Sequence, residues 1–412
     1  MTTTISRRKL LAASGVGAAT LVTGLGTRVA FAQTNNADTP KVVSIFLGGG
    51  ADPLTLFPPV SMNSYYDKRP TLAVKRPGQS DGALPLTAAS SNGNAVFPSG
   101  MDGVFGLHPL LAPLHDVWKA GQLALVVGTA LPGNSRSHFR ATPRVQIGSM
   151  SGAVNGGWLG RLMATKGNPG RSPIQGVFGE KRTITGLTPK MGVLGNLDSF
   201  GIDDYPDRSL ASEALRALHS SNDSISVEGA RLLGVLGTVE SLKGGSRPGY
   251  GNSAFGRQLS ELATLMEAGL GVEAAAVGYG GWDFHRNHTQ RMSRLAPVLA
   301  AGLSSFIQDA AVKNTTVVVF TEFGRTVNEN GNRGTDHGKA FTAMVMGPAV
   351  KGGVYGNDFP STFNGSGSRT ELPLTTDYRK IIAEVTTKHM GVSNLGAVLP
   401  GYNHTGDLGL IR

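Results

Sequence analysis

The sequence of 412 residues contains no cysteine. Disulfides, thiolate metal ligands and a cysteine nucleophile are excluded with it. Covalent staples are not needed either. The chain is 40% hydrophobic, enough for a sizeable core in one large or two ordinary domains. Charge is sparse at 16%, and the basic residues are scattered. No basic run is interleaved with aromatics, which argues against a nucleic-acid partner. Past the N-terminus no apolar run reaches the roughly 18 residues of a membrane span, so no transmembrane segment is expected in the mature chain. Heptads, a Gly-X-Y period and internal repeats are also missing. So are a His-x-x-x-His helix pair, a phosphate-loop lysine motif and a dinucleotide fingerprint in a fitting context.

Glycine is abundant, at 58 residues, and reads as many tight loops. The first 32 residues form a separate unit. "SRRKLL" sets Arg7 and Arg8 before a mildly apolar stretch from Leu10 to Leu25, and "AFA" ends at Ala32. This is the pattern of a twin-arginine signal peptide, so the mature protein is expected in the periplasm or outside the cell. Cleavage removes Arg7, Arg8, Lys9 and Arg28 and takes the formal charge from +10 to 10 − 4 = +6. That is a mild attraction for anionic substrates or envelope surfaces.

Residues 33–412 read as a single domain, with a Gly-, Ser- and Pro-rich insertion or cap at about 165–250. "KVVSIF", "QLALVVGTA", "VEAAAVG", "TTVVVF" and "KAFTAMVMG" read as strands. Helical spacing marks "GLHPLLAPLHDVWKAG", "AFGRQLSELATLMEAGLG", "RMSRLAPVLAAGLSSFIQDA" and "DYRKIIAEVTTKHMG". Alternating strands and helices predict an α/β fold with a mostly parallel central sheet, whose sites lie at the carboxyl ends of the strands.

Four polar clusters follow such strand ends. They are "GGGADPL" with Asp52, "SRSHF" with Ser137 and His138, "GGWDFHRNH" with Asp283, His285 and His288, and "TEFGRTVNENGNRGTDHGKA" with Glu322, Arg325, Asp336 and His337. Carboxylate and imidazole together are the usual ligands of zinc, manganese or iron, and carboxylates suit calcium or magnesium. A hydroxyl at a helix start is placed to attack. Each position also has a plain structural reading. Asp52 caps a turn, Ser137 caps a helix, and Glu322 with Arg325 forms a salt bridge. His138 reads as a packing or supporting residue, and His108, His115, His389 and His404 read as structural.

The ordered series "FLGGGADPL", "SRSHF", "GGWLGRLM", "GGWDFHRNH", "VVVFTEFGRTVNENGNRGTDHGKA" and "DYRKIIAEV" resembles the domain-of-unknown-function 1501 family of exported bacterial proteins. The resemblance covers about Lys41 to Gly391. That family is grouped with the alkaline phosphatase–sulfatase superfamily. The resemblance therefore implies an alkaline phosphatase-like α/β/α sandwich with divalent metals at the strand ends, acting on phosphate or sulfate esters. Carried over by position, Ser137 is similar to the nucleophile. Asp52, Asp283 with His285 or His288, Glu322 and His337 are similar to metal ligands, Asp336 is the further candidate ligand (or Arg325 its substitute) where one is missing, and Arg325 or Lys339 would steady the anion. The cation implied is zinc, manganese, calcium or magnesium, and the partner an anionic small-molecule or polymeric ester. Two departures stand out. Phe323 follows Glu322 where the superfamily has a histidine, and no residue stands in the sulfatase modification pattern. The departure at Phe323 leaves an alternative: a non-catalytic envelope binding protein on a degenerate phosphatase-like scaffold.

Overall fold

The computed structural model describes residues 38–412 apart from 94, 152, 167–173, 179–182, 184–191, 195–196, 198–207, 222, 246, 357 and 365–369. The expected signal segment, residues 1–32, lies outside the described residues.

Eleven strands are described: β1 (Lys41–Phe46), β2 (Leu84–Pro85), β3 (Gly106–Leu107), β4 (Leu123–Ala130), β5 (Ile174–Phe178), β6 (Gly192–Leu194), β7 (Val272–Gly278), β8 (Thr315–Phe320), β9 (Phe341–Met346), β10 (Gly353–Tyr355) and β11 (Thr376–Asp377). The short pair β2–β3 stands apart. The central sheet runs in the order β10-β4-β9-β8-β1-β7-β5-β6, with β11 beside β4. Every pairing in it is parallel except those of β9, which runs antiparallel to both β4 and β8. Inside the stretch at 165–250, β5 and β6 continue this sheet beyond β7.

The central strands are apolar on both faces, as strands covered by helices on either side must be. Alternation assigns the faces. Val43 and Ile45 of β1 join one core with helices Ala112–Lys119, Ala254–Glu267 and His288–Gln308. Val42 and Phe46 join the other, with helices His138–Ile147, Trp158–Lys166 and Tyr378–Glu384. The expected mixed α/β architecture with a mostly parallel sheet between helix layers is what the chain forms. Among the described residues no helix is long and apolar enough to cross a membrane.

Direction decides where the polar clusters go. β1, β4, β7 and β8 all end at one edge of the sheet. β9 runs the opposite way, so its start lies at that same edge. The segments after Phe46, Ala130, Gly278 and Phe320 and the segment before Phe341 therefore meet there. The sequence marks "KAFTAMVMG" as a strand but not as an antiparallel one, and this reversal is what brings Asp336 and His337 to the others.

Candidate metal centre

Glycine sets how closely these segments approach. Gly49, at φ +119°, lies against the 282–283 backbone, where a Cβ would come within 2.5 Å of the Asp283 nitrogen. Gly334 packs on the backbone of His285 in the same way, with 2.3 Å left for a Cβ.

Three imidazoles converge on one carboxylate oxygen in the space so enclosed. His285 Nε2 and His337 Nε2 each lie 3.1 Å from Asp283 Oδ1, and 2.9 Å from one another. His138 Nε2 lies 3.5 Å from the same oxygen; it is buried and has no hydrogen-bond partner. One ligand atom from each of His138, Asp283 and His337 falls within 4.8 Å of the others.

The far nitrogen of each ring explains how the near one is presented. His138 Nδ1 faces Glu322 Oε1 at 2.6 Å, and His285 Nδ1 faces Asp336 Oδ1 at 3.0 Å. His337 Nδ1 faces the Arg136 carbonyl at 2.7 Å. Carboxylates and carbonyls only accept, so each Nδ1 donates behind its ring, and Nε2 is the nitrogen turned towards Asp283. With Nε2 deprotonated, His138 and His337 and one Asp283 oxygen stand close enough together to share a cation. Carboxylate or carbonyl support behind a histidine is also how metal-ligating imidazoles are held and their tautomer fixed. The donor set therefore fits a divalent metal.

Charge is arranged to match. Arg325 Nη2 donates to Asp283 Oδ1 at 2.6 Å. Burial opposes ionisation of Asp283, but the Arg325 hydrogen bond and charge prevail and hold its pKa down to about 2. Burial likewise opposes the Glu322 carboxylate, and the His138, Thr321 and Gly49 hydrogen bonds hold it below its usual range. The His138 imidazole is raised, first by its bond to Glu322.

The residues expected to form the site separate into three groups. Asp283, His285 and His337 lie at the centre. Glu322 and Asp336, expected as ligands, stand one layer back. Both Glu322 oxygens are engaged: Oε1 by His138 and the Gly49 N–H at 2.9 Å, and Oε2 by Thr321 Oγ1 at 2.9 Å. Asp336 Oδ1 takes His285 and the Asn330 amide at 3.2 Å.

Asp52 and His288 stand apart. Asp52 is 2% exposed and holds Arg69 with both oxygens, at 2.8 and 3.1 Å, while accepting from Leu54 N–H and Thr55 Oγ1. A carboxylate so saturated has little left for a metal. His288 is buried behind it, 3.9 Å from Asp52 and edge-on to Phe284, so His285 is the histidine of its loop that reaches the centre.

Arg325 departs from the anion-gripping role expected of it. It is 1% exposed, and besides Asp283 it donates to the carbonyls of Gly49, Gly50 and Thr335. Phe323 forms one wall of the centre, its ring 4.8 Å from that of His138 and 4.6 Å from that of His337. Ser137 is the N-cap of helix His138–Ile147, and its hydroxyl makes no capping bond.

His138 is the residue that sequence reasoning set aside. Its signal was present: it follows a candidate nucleophile, past a strand end, in one of the four polar clusters.

A histidine-rich centre with one carboxylate, at the carboxyl edge of a mostly parallel α/β sheet, defines the class of site. The chain belongs to the family described as protein of unknown function (DUF1501), which matches residues 39–393. No curated protein matches it. Among solved structures it is similar to a 2-O GAG sulfatase, at 10% identity over 90% of this chain and 76% of that one, with a TM-score of 0.32. It is also similar to the alkaline phosphatase of the Antarctic bacterium TAB5, at 12% identity over 77% of this chain and 94% of that one, again with a TM-score of 0.32. A variant of that phosphatase with Mg bound in its M3 site gives 11% identity over the same shares and a TM-score of 0.29.

Proposed function

We propose that the chain is an exported, metal-dependent hydrolase of phosphate or sulfate esters. The observation that carries the metal is the convergence of His138, His285 and His337 Nε2 on Asp283 Oδ1, with each Nδ1 tied to an acceptor. Three imidazoles and one carboxylate favour zinc or manganese over calcium and magnesium, which prefer all-oxygen shells. The order of the sequence motifs supports the ester class, and the paired arginines near the N-terminus support export.

A bound divalent cation would supply Lewis-acid polarisation of an ester oxygen. Asp283 and the three histidines would hold it, and Glu322, Asp336 and the Arg136 carbonyl would keep the rings turned inward. Ser137 is the attacking group in this reading. It starts a helix directly before His138, where the N-terminal dipole favours a developing anion.

Elemental mass spectrometry on protein purified without chelator tests the centre. Wild type is expected to carry tightly bound metal, and the double variant Asp283→Asn, His337→Ala to carry none. Ser137→Ala is expected to abolish turnover of phosphate and sulfate esters with metal content intact; equal turnover in that variant would remove Ser137 from the chemistry. A second reading, a non-catalytic binding protein, is favoured by the engagement of Arg325 inside the fold. It predicts no turnover of any ester by wild type, at a site that binds metal weakly or only for structure.

A further inference from the structure

Two cations from the loops of the metal centre meet on one carboxylate at its rim. Arg136 Nη1 donates to Glu371 Oε1, and Lys339 Nζ lies 3.5 Å from Glu371 Oε2. Arg136 precedes His138 by two residues, and its own carbonyl accepts from His337. Lys339 follows His337 by two. Glu371 is brought in by a backbone bridge to Thr326, beside the bridge that joins Arg325 to His337.

The exposures are uneven. The Arg136 and Lys339 side chains are 47% and 62% exposed, while the carboxylate between them is 15% exposed. Exposed ion pairs add little to stability, so folding alone is a weak reason for this arrangement. Its geometry is that of recognition: each oxygen of one oxyanion meets a separate cation, on the loops that also carry His138 and His337.

We propose that Arg136 and Lys339 form the subsite for an oxyanion group of the substrate, and that Glu371 fills it in the free protein as an internal competitor. The substrate identity rests on the hydrolase reading above; the subsite itself does not. An entering sulfate, phosphate or carboxylate replaces the Glu371 carboxylate on both cations. Glu371 thus sets the affinity threshold, and Arg136 with Lys339 sets the preference for anionic over neutral esters.

Isothermal calorimetry with inorganic sulfate, inorganic phosphate and acetate tests this on the full protein, as purified and after chelation. Glu371→Gln keeps the side-chain shape and is expected to tighten binding about tenfold, while Arg136→Gln and Lys339→Ala each weaken it by about the same factor. Arg136→Gln leaves the backbone carbonyl that holds His337, so metal content should stay at the wild-type value. The preferred anion identifies the group recognised. Persistence of the pattern in chelated protein, or in protein that never held metal, supports the subsite even if the hydrolase reading fails. Wild-type affinity in both Arg136→Gln and Lys339→Ala would overturn the subsite, and unchanged or weaker binding by Glu371→Gln would overturn the competitor role.

Discussion

Asp52 and Asp283 both lie just past the end of a central parallel strand, β1 for one and β7 for the other. Their surroundings are opposite in kind. Around Asp52 stand donors: the Arg69 fork, the Leu54 N–H and the Thr55 hydroxyl. Around Asp283 stand the Nε2 atoms of three imidazoles, which can donate or coordinate, and the Arg325 guanidinium. Asp52 is 2% exposed and the Asp283 side chain 44%. A carboxylate met by donors is complete within the chain. One ringed by imidazoles, which can give up a proton, can take a cation from outside in its place. The residue type alone does not separate these cases; the hydrogen-bond inventory of the neighbours does.

The largest effect expected from this contrast is on folding. Arg69→Met leaves the Asp52 carboxylate buried without its cation, and losing one partner of a buried pair costs about 3–5 kcal/mol. Urea unfolding should show that loss, while the variant's folded fraction keeps its metal. Asp283→Asn should do the reverse, with a smaller change in stability and no bound metal. If Arg69→Met instead empties the metal site at little cost to folding, the division between a closed and an open carboxylate is wrong.

The next effect sharpens the open side. Glu322→Gln keeps the size of the side chain but weakens the acceptor for His138 Nδ1–H. Loss of such support behind a ligand costs about 10–100-fold in metal affinity. Competition with a chromophoric chelator measures it. Were Glu322 itself a ligand, the loss would match that of Asp283→Asn.

This is also where the sequence was hardest to read. The strands, their ends and the polar residues gathered there follow from apolar runs and glycine-rich breaks, so Asp283, His285 and His337 were visible as candidates. Which acid touches the cation was not. Glu322 and Asp283 both follow buried strands. Glu322 is spent on Gly49, Thr321 and His138, contacts made to segments far away in the chain. His138 reads from the sequence as a packing or supporting residue. Its role depends on β4 ending at the same edge as β7 and on the reversed β9, and no local pattern encodes either one. The choice between His285 and His288 turned on three residues of backbone. Asn287, at φ 52°, separates the loop from the helix, and His288 begins that helix, facing the core.

The smallest effect tests the closed side through pH. His288 is 1% exposed, and neither ring nitrogen has a hydrogen-bond partner. Burial lowers its pKa from 6.5 to about 4; Asp52 pulls the other way, while Arg69, Arg325 and His108 add to the lowering. The sign follows from proton counting. Between these two values the unfolded chain binds a proton that the folded chain refuses. Stability contributed by the neutral ring is therefore full above pH 6.5 and falls as pH drops towards 4. His288→Met removes the titrating group, fills a similar volume and breaks no hydrogen bond to the ring. Unfolding free energy of metal-free protein, measured by urea at several pH values in that window, should fall less steeply with acid in the variant than in wild type. Equal slopes would mean that His288 is not held neutral, and that the pocket around Asp52 is more open to solvent and to cations than its hydrogen bonds imply.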